Sequence, residues 1–312
     1  MRPYLSARFV VTWLVPVAAA WLAAARNLTI GDDGVLFVRA GRTLLSSHWS
    51  HAFAVPNVQA GPLQLAVFGS LGRSDWALTL FLATAIVLLV VAAARRVGVE
   101  SPALLCGVGV LAAATGLTGV GYTWGHPADA VLPLLWIFAA AEARRGRTLR
   151  AGLIVGLSAG LETWGILGVA VLALAPRRRE AGAGVLVAAG VALALFLPFM
   201  LGGHFEMWSF RWLVYRPSPV SMLVTPGTPY GWPLRLVQGA LAVGAGVGVA
   251  RLLRHSPHAL WAVPLAIVAA KLLLDPDLYS YYLAAPQGPI FVGAALGASR
   301  LRRRSWTPAM IR

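Results

Sequence analysis

The stretch GLIVGLSAGLETWGILGVAVLALAP, from Gly152 to Pro176, decides how the rest of the chain is arranged. It is apolar except around Glu162-Thr163-Trp164. As a single α-helix it would be about 38 Å long, enough to cross a bilayer. Every later segment would then change side, leaving 14 arginines outside and 11 inside. Read as two short helices turning back near Glu162, the same stretch leaves 18 inside and 7 outside. Cytoplasmic loops collect Arg and Lys, so the sequence predicts a hairpin here.

Working outward, apolar runs fall near residues 9–25, 76–94, 102–120, 127–143, 181–201, 234–250, 258–274 and 283–299. A helix needs about 20 apolar residues to span the hydrocarbon. The expectation is an all-α, polytopic helical integral membrane protein, a single domain over 1–312, with about eight full spans plus the short broken pair. Arg2 and Arg8 precede the first run, which places the N-terminus in the cytoplasm. Ala23-Ala24-Ala25 could close a signal peptide, but the apolar stretch is longer than such a segment requires, so a signal anchor is expected.

Composition agrees with a membrane protein. Hydrophobic residues make up 58% of the chain and charged ones 12%, and the mean hydropathy is +0.73, values that exclude a soluble globular domain. A net charge of +15 would suit nucleic acid, but the arginines cluster between apolar runs, as in Arg95-Arg96, Arg144-Arg145 with Arg147, Arg177–Arg179 and Arg302–Arg304. These are anchors at an anionic inner leaflet, and no nucleic-acid partner is expected. Cys106 is the single cysteine, which excludes a disulfide and a thiolate zinc site. His48 with His51, and His255 with His258, share helical faces without further ligands, so no metal and no cofactor is expected. Gly152, Gly156 and Gly160 form a small-xxx-small packing ridge, and Gly244, Gly246 and Gly248 lie inside an apolar run and read as packing too.

Eight of the eleven acidic residues fall on the outer side of this topology: Asp32, Asp33, Asp75, Asp129, Glu162, Glu206, Asp275 and Asp277. Two outer loops have substance. The first, 27–75, carries the Asp32-Asp33 pair, an amphipathic segment Val35–Leu45 suited to the interface, and an apolar piece Pro62–Leu71. The second, 202–233, is dense in aromatics: Trp208, Trp212, Tyr215, Tyr230 and Trp232. Such residues serve an interfacial belt, or equally a sugar or lipid-headgroup platform. Glu162 and Lys271, the only lysine, lie at membrane depth, where an unpaired charge costs at least about 3 kcal/mol. Each needs a partner or a wet cavity. Lys271 has a structural reading, snorkelling to the outer interface or pairing with Asp275, and a functional one, phosphate binding.

Several segments resemble GT-C glycosyltransferases, in particular the branch of bacterial phosphatidylinositol-mannoside mannosyltransferases. They are Asp33-Gly-Val-Leu-Phe37-Val-Arg39-Ala-Gly-Arg42, Gly125-His126-Pro127-Ala128-Asp129, Arg147 with Ala151-Gly152 through Gly156 before a broken helix pair, and Lys271 through Asp275 to Tyr281-Tyr282. The sequence departs from that pattern at Glu162-Thr163-Trp164, where such proteins often carry a lysine, and in its shortness. The resemblance implies a polyprenyl-phosphate sugar donor, a lipid or glycan acceptor, membrane lipid around both, and a bacterial plasma membrane with the active side extracytoplasmic. It makes Asp33 the base, with Asp32 tuning it. Arg39, Arg42, His126, Asp129, Arg211, Arg216, Lys271, Asp275, Tyr281 and Tyr282 become the donor-phosphate and substrate-binding set. A lipid-linked sugar flippase or a noncatalytic membrane partner of the same fold are the other readings.

The arginine partition makes a direct prediction of sidedness. A cysteine at Ser47 reacts with an impermeant maleimide in intact cells, and one at Ser305 does not. Labelling at both positions overturns the topology.

Overall fold

The computed structural model describes residues 6–305 except Asn27, Thr29 and Pro217. Arg2 and Asn27, which the sidedness and loop expectations used, lie outside the described residues. Twelve helices are present among them: α1 (Ala7–Ala24, with a π-helical turn at Val10–Leu14), α2 (Asp32–Leu44), α3 (Pro62–Leu71), α4 (Asp75–Arg96), α5 (Pro102–Ala114), α6 (Gly119–Thr123), α7 (Pro127–Arg144), α8 (Thr148–Leu161), α9 (Arg178–Gly202), α10 (Trp232–Leu252), α11 (Ala259–Leu273) and α12 (Ala284–Ser305). A two-residue antiparallel pair, β1 (Trp212–Leu213) with β2 (Pro229–Tyr230), ties the second loop.

Five helical segments are long and apolar enough to cross a membrane: α1, α4, the run Pro102–Gly121, α9 and α10. The expectation of about eight full spans is therefore corrected. The three segments that fall away each have a physical reason. α7 carries Asp129, Glu142 and Arg144 within its 18 residues. α11 has 15 residues, about 22 Å of helix against roughly 30 Å of hydrocarbon. α12 opens on Pro286-Gln287-Gly288-Pro289 and closes on Arg300 and Arg302, which leaves a short apolar middle. These helices are core elements. Trp136, Ile137, Val263 and Ile267 are fully buried in one large apolar cluster with residues of α4, α8 and α12.

The chain breaks at Glu162, whose backbone is extended, between α8 and a 3-10 helix, Thr163–Leu174. The two legs fold back on each other, since the Gly184 position of α9 faces both the Thr148 carbonyl and the Leu172 side chain. Glycine makes the approach possible. A Cβ on Gly152 would run into the Gly184 backbone, and one on Gly165 into Ser158 and Ala159. Trp136 Nε1 donates to the Gly165 carbonyl (3.2 Å), and a Cβ on Gly168 would strike its indole, which fixes the second leg against α7. Gly61 N donates to the Leu161 carbonyl (2.7 Å) and Ala60 bridges Glu162, so the break is pinned under the start of α3. Gly246 packs on Ile267 and Ala170, a packing position in α10.

The first loop is more regular than the sequence suggests. α2 begins at Asp32, three residues before the expected interfacial segment, so both carboxylates sit in its first turn. Acidic side chains are favoured there by the helix dipole. α2 and α3 cross with backbone nearly touching, a Cβ on Gly41 meeting the Leu65 carbonyl and the Gly69 nitrogen. Phe37 and Phe68 meet edge to face across the same crossing, with centroids 6.0 Å apart.

Candidate functional site

Asp33 stands in the first turn of α2, opposite the connection between α6 and α7. That connection turns at Gly125 with φ +78, a conformation that favours glycine, and any Cβ there would strike the Gly34 backbone. The close approach brings His126 Nε2 to 3.0 Å from Asp33 Oδ2. Gln64 Nε2 donates to the Gly125 carbonyl (3.3 Å) and steadies the turn. The imidazole is stacked on Tyr281 (centroids 4.4 Å, planes 5° apart) and meets the edge of Phe37 at 5.7 Å. Only 13% of the His126 side chain is exposed against 54% of Asp33, so the carboxylate faces the surface and the histidine holds it from behind. Burial alone would lower the His126 pKa. The hydrogen bond to Asp33 and the charges of Asp129, Glu162 and Asp33 outweigh it, and the net shift is upward.

Below this pair the polar side chains are buried. Asp129, in the first turn of α7, is buried, and among the described residues neither its Oδ2 nor Glu162 Oε2 at the hairpin break has a hydrogen-bond partner. Deeper still, Asp275 is fully buried and accepts from Lys271 Nζ (2.9 Å), Arg235 Nη1 (2.9 Å) and Gln238 Nε2 (3.3 Å). Burial pushes the Asp275 carboxyl up, but the two cations prevail and hold it below the usual carboxylate range. Asp277, buried beside it, is pushed up to about 6 by burial first and by the Asp275 charge second. The Lys271 ammonium lies over the rings of Tyr282 (4.6 Å) and Trp164 (5.0 Å), and the Arg235 guanidinium over Trp212 (4.1 Å). Tyr281 and Tyr282 join the two levels, their rings meeting edge to face at 4.8 Å.

Neither a family model, nor a curated protein, nor a solved structure matches this chain.

Of the residues singled out in the sequence, the structure gathers Asp33, His126 and Tyr281 at the surface and Asp129, Lys271, Asp275 and Tyr282 beneath them. Asp32 is exposed beside the pair. The four outer arginines are placed differently. Arg42 Nη2 donates to the Gly72 carbonyl (2.9 Å), and Arg211 Nη1 donates to the carbonyls of Trp208 (2.8 Å) and Phe210 (3.0 Å). Arg39 and Arg216 are exposed. Among the described residues none of these four bonds to Asp33 or His126.

Arg235, Gln238, Asp277 and Trp164 also belong to the site, beyond the residues expected from the sequence. A signal for the first two was present, since an Arg and a Gln three apart at the start of an otherwise apolar helix need buried partners. Of the histidine pairs, His51 lies against His204 (centroids 4.5 Å), and His258 accepts at Nδ1 from Trp261 Nε1 (3.2 Å). Among the described residues no three His, Cys, Asp or Glu side chains converge as a metal site.

Two measurements check this geometry. The His126 pKa is raised in the folded chain. The stability it confers is therefore fully present below the ordinary histidine value, about 6.5, and is lost as pH rises through the folded value. The melting temperature of the wild type minus that of His126→Gln falls over that window; a flat difference contradicts the pairing. Lys271→Met removes one of two cations from a fully buried carboxylate, and a loss of about 3 kcal/mol is expected in chemical denaturation. An unchanged midpoint means the pair carries no structural weight.

Proposed function

We propose that this chain is a membrane glycosyltransferase that moves a sugar from a polyprenyl-phosphate donor to a lipid or glycan acceptor, with inversion at the anomeric carbon. The observation that carries the reading is the Asp33–His126 pair, a half-exposed carboxylate held at 3.0 Å by a mostly covered imidazole at the mouth of a polar interior. The resemblance of the Asp33–Arg42 and Gly125–Asp129 segments to GT-C glycosyltransferases supports the same chemistry.

In this reading Asp33 accepts the proton of the acceptor hydroxyl as its oxygen attacks the anomeric carbon. The bond from that carbon to the phosphate oxygen breaks on the opposite side, and the leaving phosphate keeps the electron pair. His126 fixes the carboxylate in one rotamer, and its raised pKa leaves it positive near the reacting groups at lower pH. The exposed guanidinium groups of Arg39 and Arg216 are free to meet the phosphate as the lipid docks. Lys271 is committed to Asp275 and acts from below, where Tyr282 and Tyr281 carry its position to the histidine. The reaction side is extracytoplasmic in this proposal, following the arginine partition.

A second reading is favoured by one observation. The interior polar set Asp129, Lys271, Asp275 and Gln238 is buried, with the half-buried Arg235 bonded to Asp275, and a lipid-linked sugar flippase would need such groups along its path. Transport requires sealed compartments, whereas transfer proceeds in detergent. Purified protein in detergent, given a polyprenyl-phosphate sugar and cell-envelope lipids, is expected to turn over, and Asp33→Asn to lose about 10²–10⁴-fold in rate with donor binding kept. Turnover of Asp33→Asn at the wild-type rate removes the base assignment. Movement of the lipid only in sealed vesicles favours the flippase, and neither activity favours a noncatalytic partner.

A further inference from the structure

A groove of about 470 Å³ lies at the other end of the molecule, between α1 and α4. Phe9, Trp13, Leu14 and Val17 form one wall, and Leu88, Leu89 and Ala92 the other; every lining side chain is apolar. Both walls belong to segments long and apolar enough to span a membrane. Two arginines stand at its mouth, next to Glu100. Arg8 precedes Phe9 and donates to the Glu100 carbonyl (3.3 Å), while the Arg95 guanidinium sits 5.5 Å from the Trp13 ring. Both arginines are exposed, whereas the neighbouring Arg96 is bound to Glu142. The Trp13 and Leu14 wall is a π-helical turn, Val10–Leu14, a local irregularity that often accompanies functional sites.

We infer that this groove binds one acyl chain of an anionic glycerophospholipid, whose phosphate is held by Arg8 and Arg95 at the membrane surface. The apolar walls select hydrocarbon, and the guanidinium pair selects negative over zwitterionic headgroups. Arg8 and Arg95 lie in the arginine-rich ends that the topology assigns to the cytoplasmic leaflet, where anionic lipid concentrates. The site is separate from Asp33, which lies beyond the opposite ends of α1 and α4, and it stands whether or not the chain is a transferase.

The test uses the full chain in detergent, with phosphatidylglycerol or with phosphatidylcholine of the same acyl chains added, and follows the melting temperature and lipid retention in native mass spectrometry. The expected result is a larger upward shift and tighter retention with phosphatidylglycerol. The preference disappears in Arg8→Gln/Arg95→Gln, which still gains from both lipids equally. Leu89→Trp, which fills the groove, loses the response to both. Should that variant fold poorly, the arginine pair carries the test alone. Equal shifts from the two lipids in the wild type, a preference that survives in Arg8→Gln/Arg95→Gln, or a lipid-independent dimer abolished by filling the groove would each overturn the inference.

Discussion

A carboxylate without access to water must find cations, and Asp275 finds two. Lys271 reaches it from the last turn of α11, and Arg235 and Gln238 from the first turns of α10. Gln238 also donates to the Lys271 carbonyl (2.8 Å), so the two helices are locked in one register. From there the order spreads outward. Tyr215 N donates to the Pro276 carbonyl (2.9 Å) and fastens the second loop to the segment after Asp275. Tyr282, under the Lys271 ammonium, sets the neighbouring Tyr281, which stacks on His126, which holds Asp33. The exposed carboxylate thus inherits its position from a buried charge cluster several contacts away. Such clusters add little net stability compared with apolar packing, but removing one partner leaves a buried charge uncompensated, which enforces a single arrangement.

The sequence carried the class of the fold and much of its packing. Apolar run length identifies α1, α4, α9 and α10, the glycine ridge of α8 meets Gly184 and Ala188 of α9, and the interruption at Glu162-Thr163-Trp164 is where the helix ends. It overstated the number of spans because hydropathy alone does not separate a helix buried in protein from one bathed in lipid. α7 and α11 are apolar for the first reason. Their inner faces pack on α4, α8 and α12, and Glu142 pairs with Arg96 and Arg147, and Lys271 with Asp275.

The candidate site was half legible. Asp33, His126, Lys271 and Asp275 stand out as polar residues beside apolar runs, and Lys271 with Asp275 follows from i, i+4 spacing. The contact between Asp33 and His126 spans 93 positions and depends on Gly125 lying against Gly34, which no local pattern announces. The arginines showed the converse. Arg42 and Arg211 stand at suitable places in the chain, yet backbone carbonyls engage their guanidinium groups.

The proposed transfer requires donor and base to meet at the surface end of this polar column. The most direct measurement is a cryo-electron microscopy structure of the protein with a nonhydrolysable polyprenyl-phosphonate sugar. The account predicts the sugar against the Asp33 carboxylate, the phosphonate within reach of His126 or an outer arginine, and the polyprenyl tail between helices. Donor density confined to another part of the molecule, with Asp33 open to solvent, would contradict it.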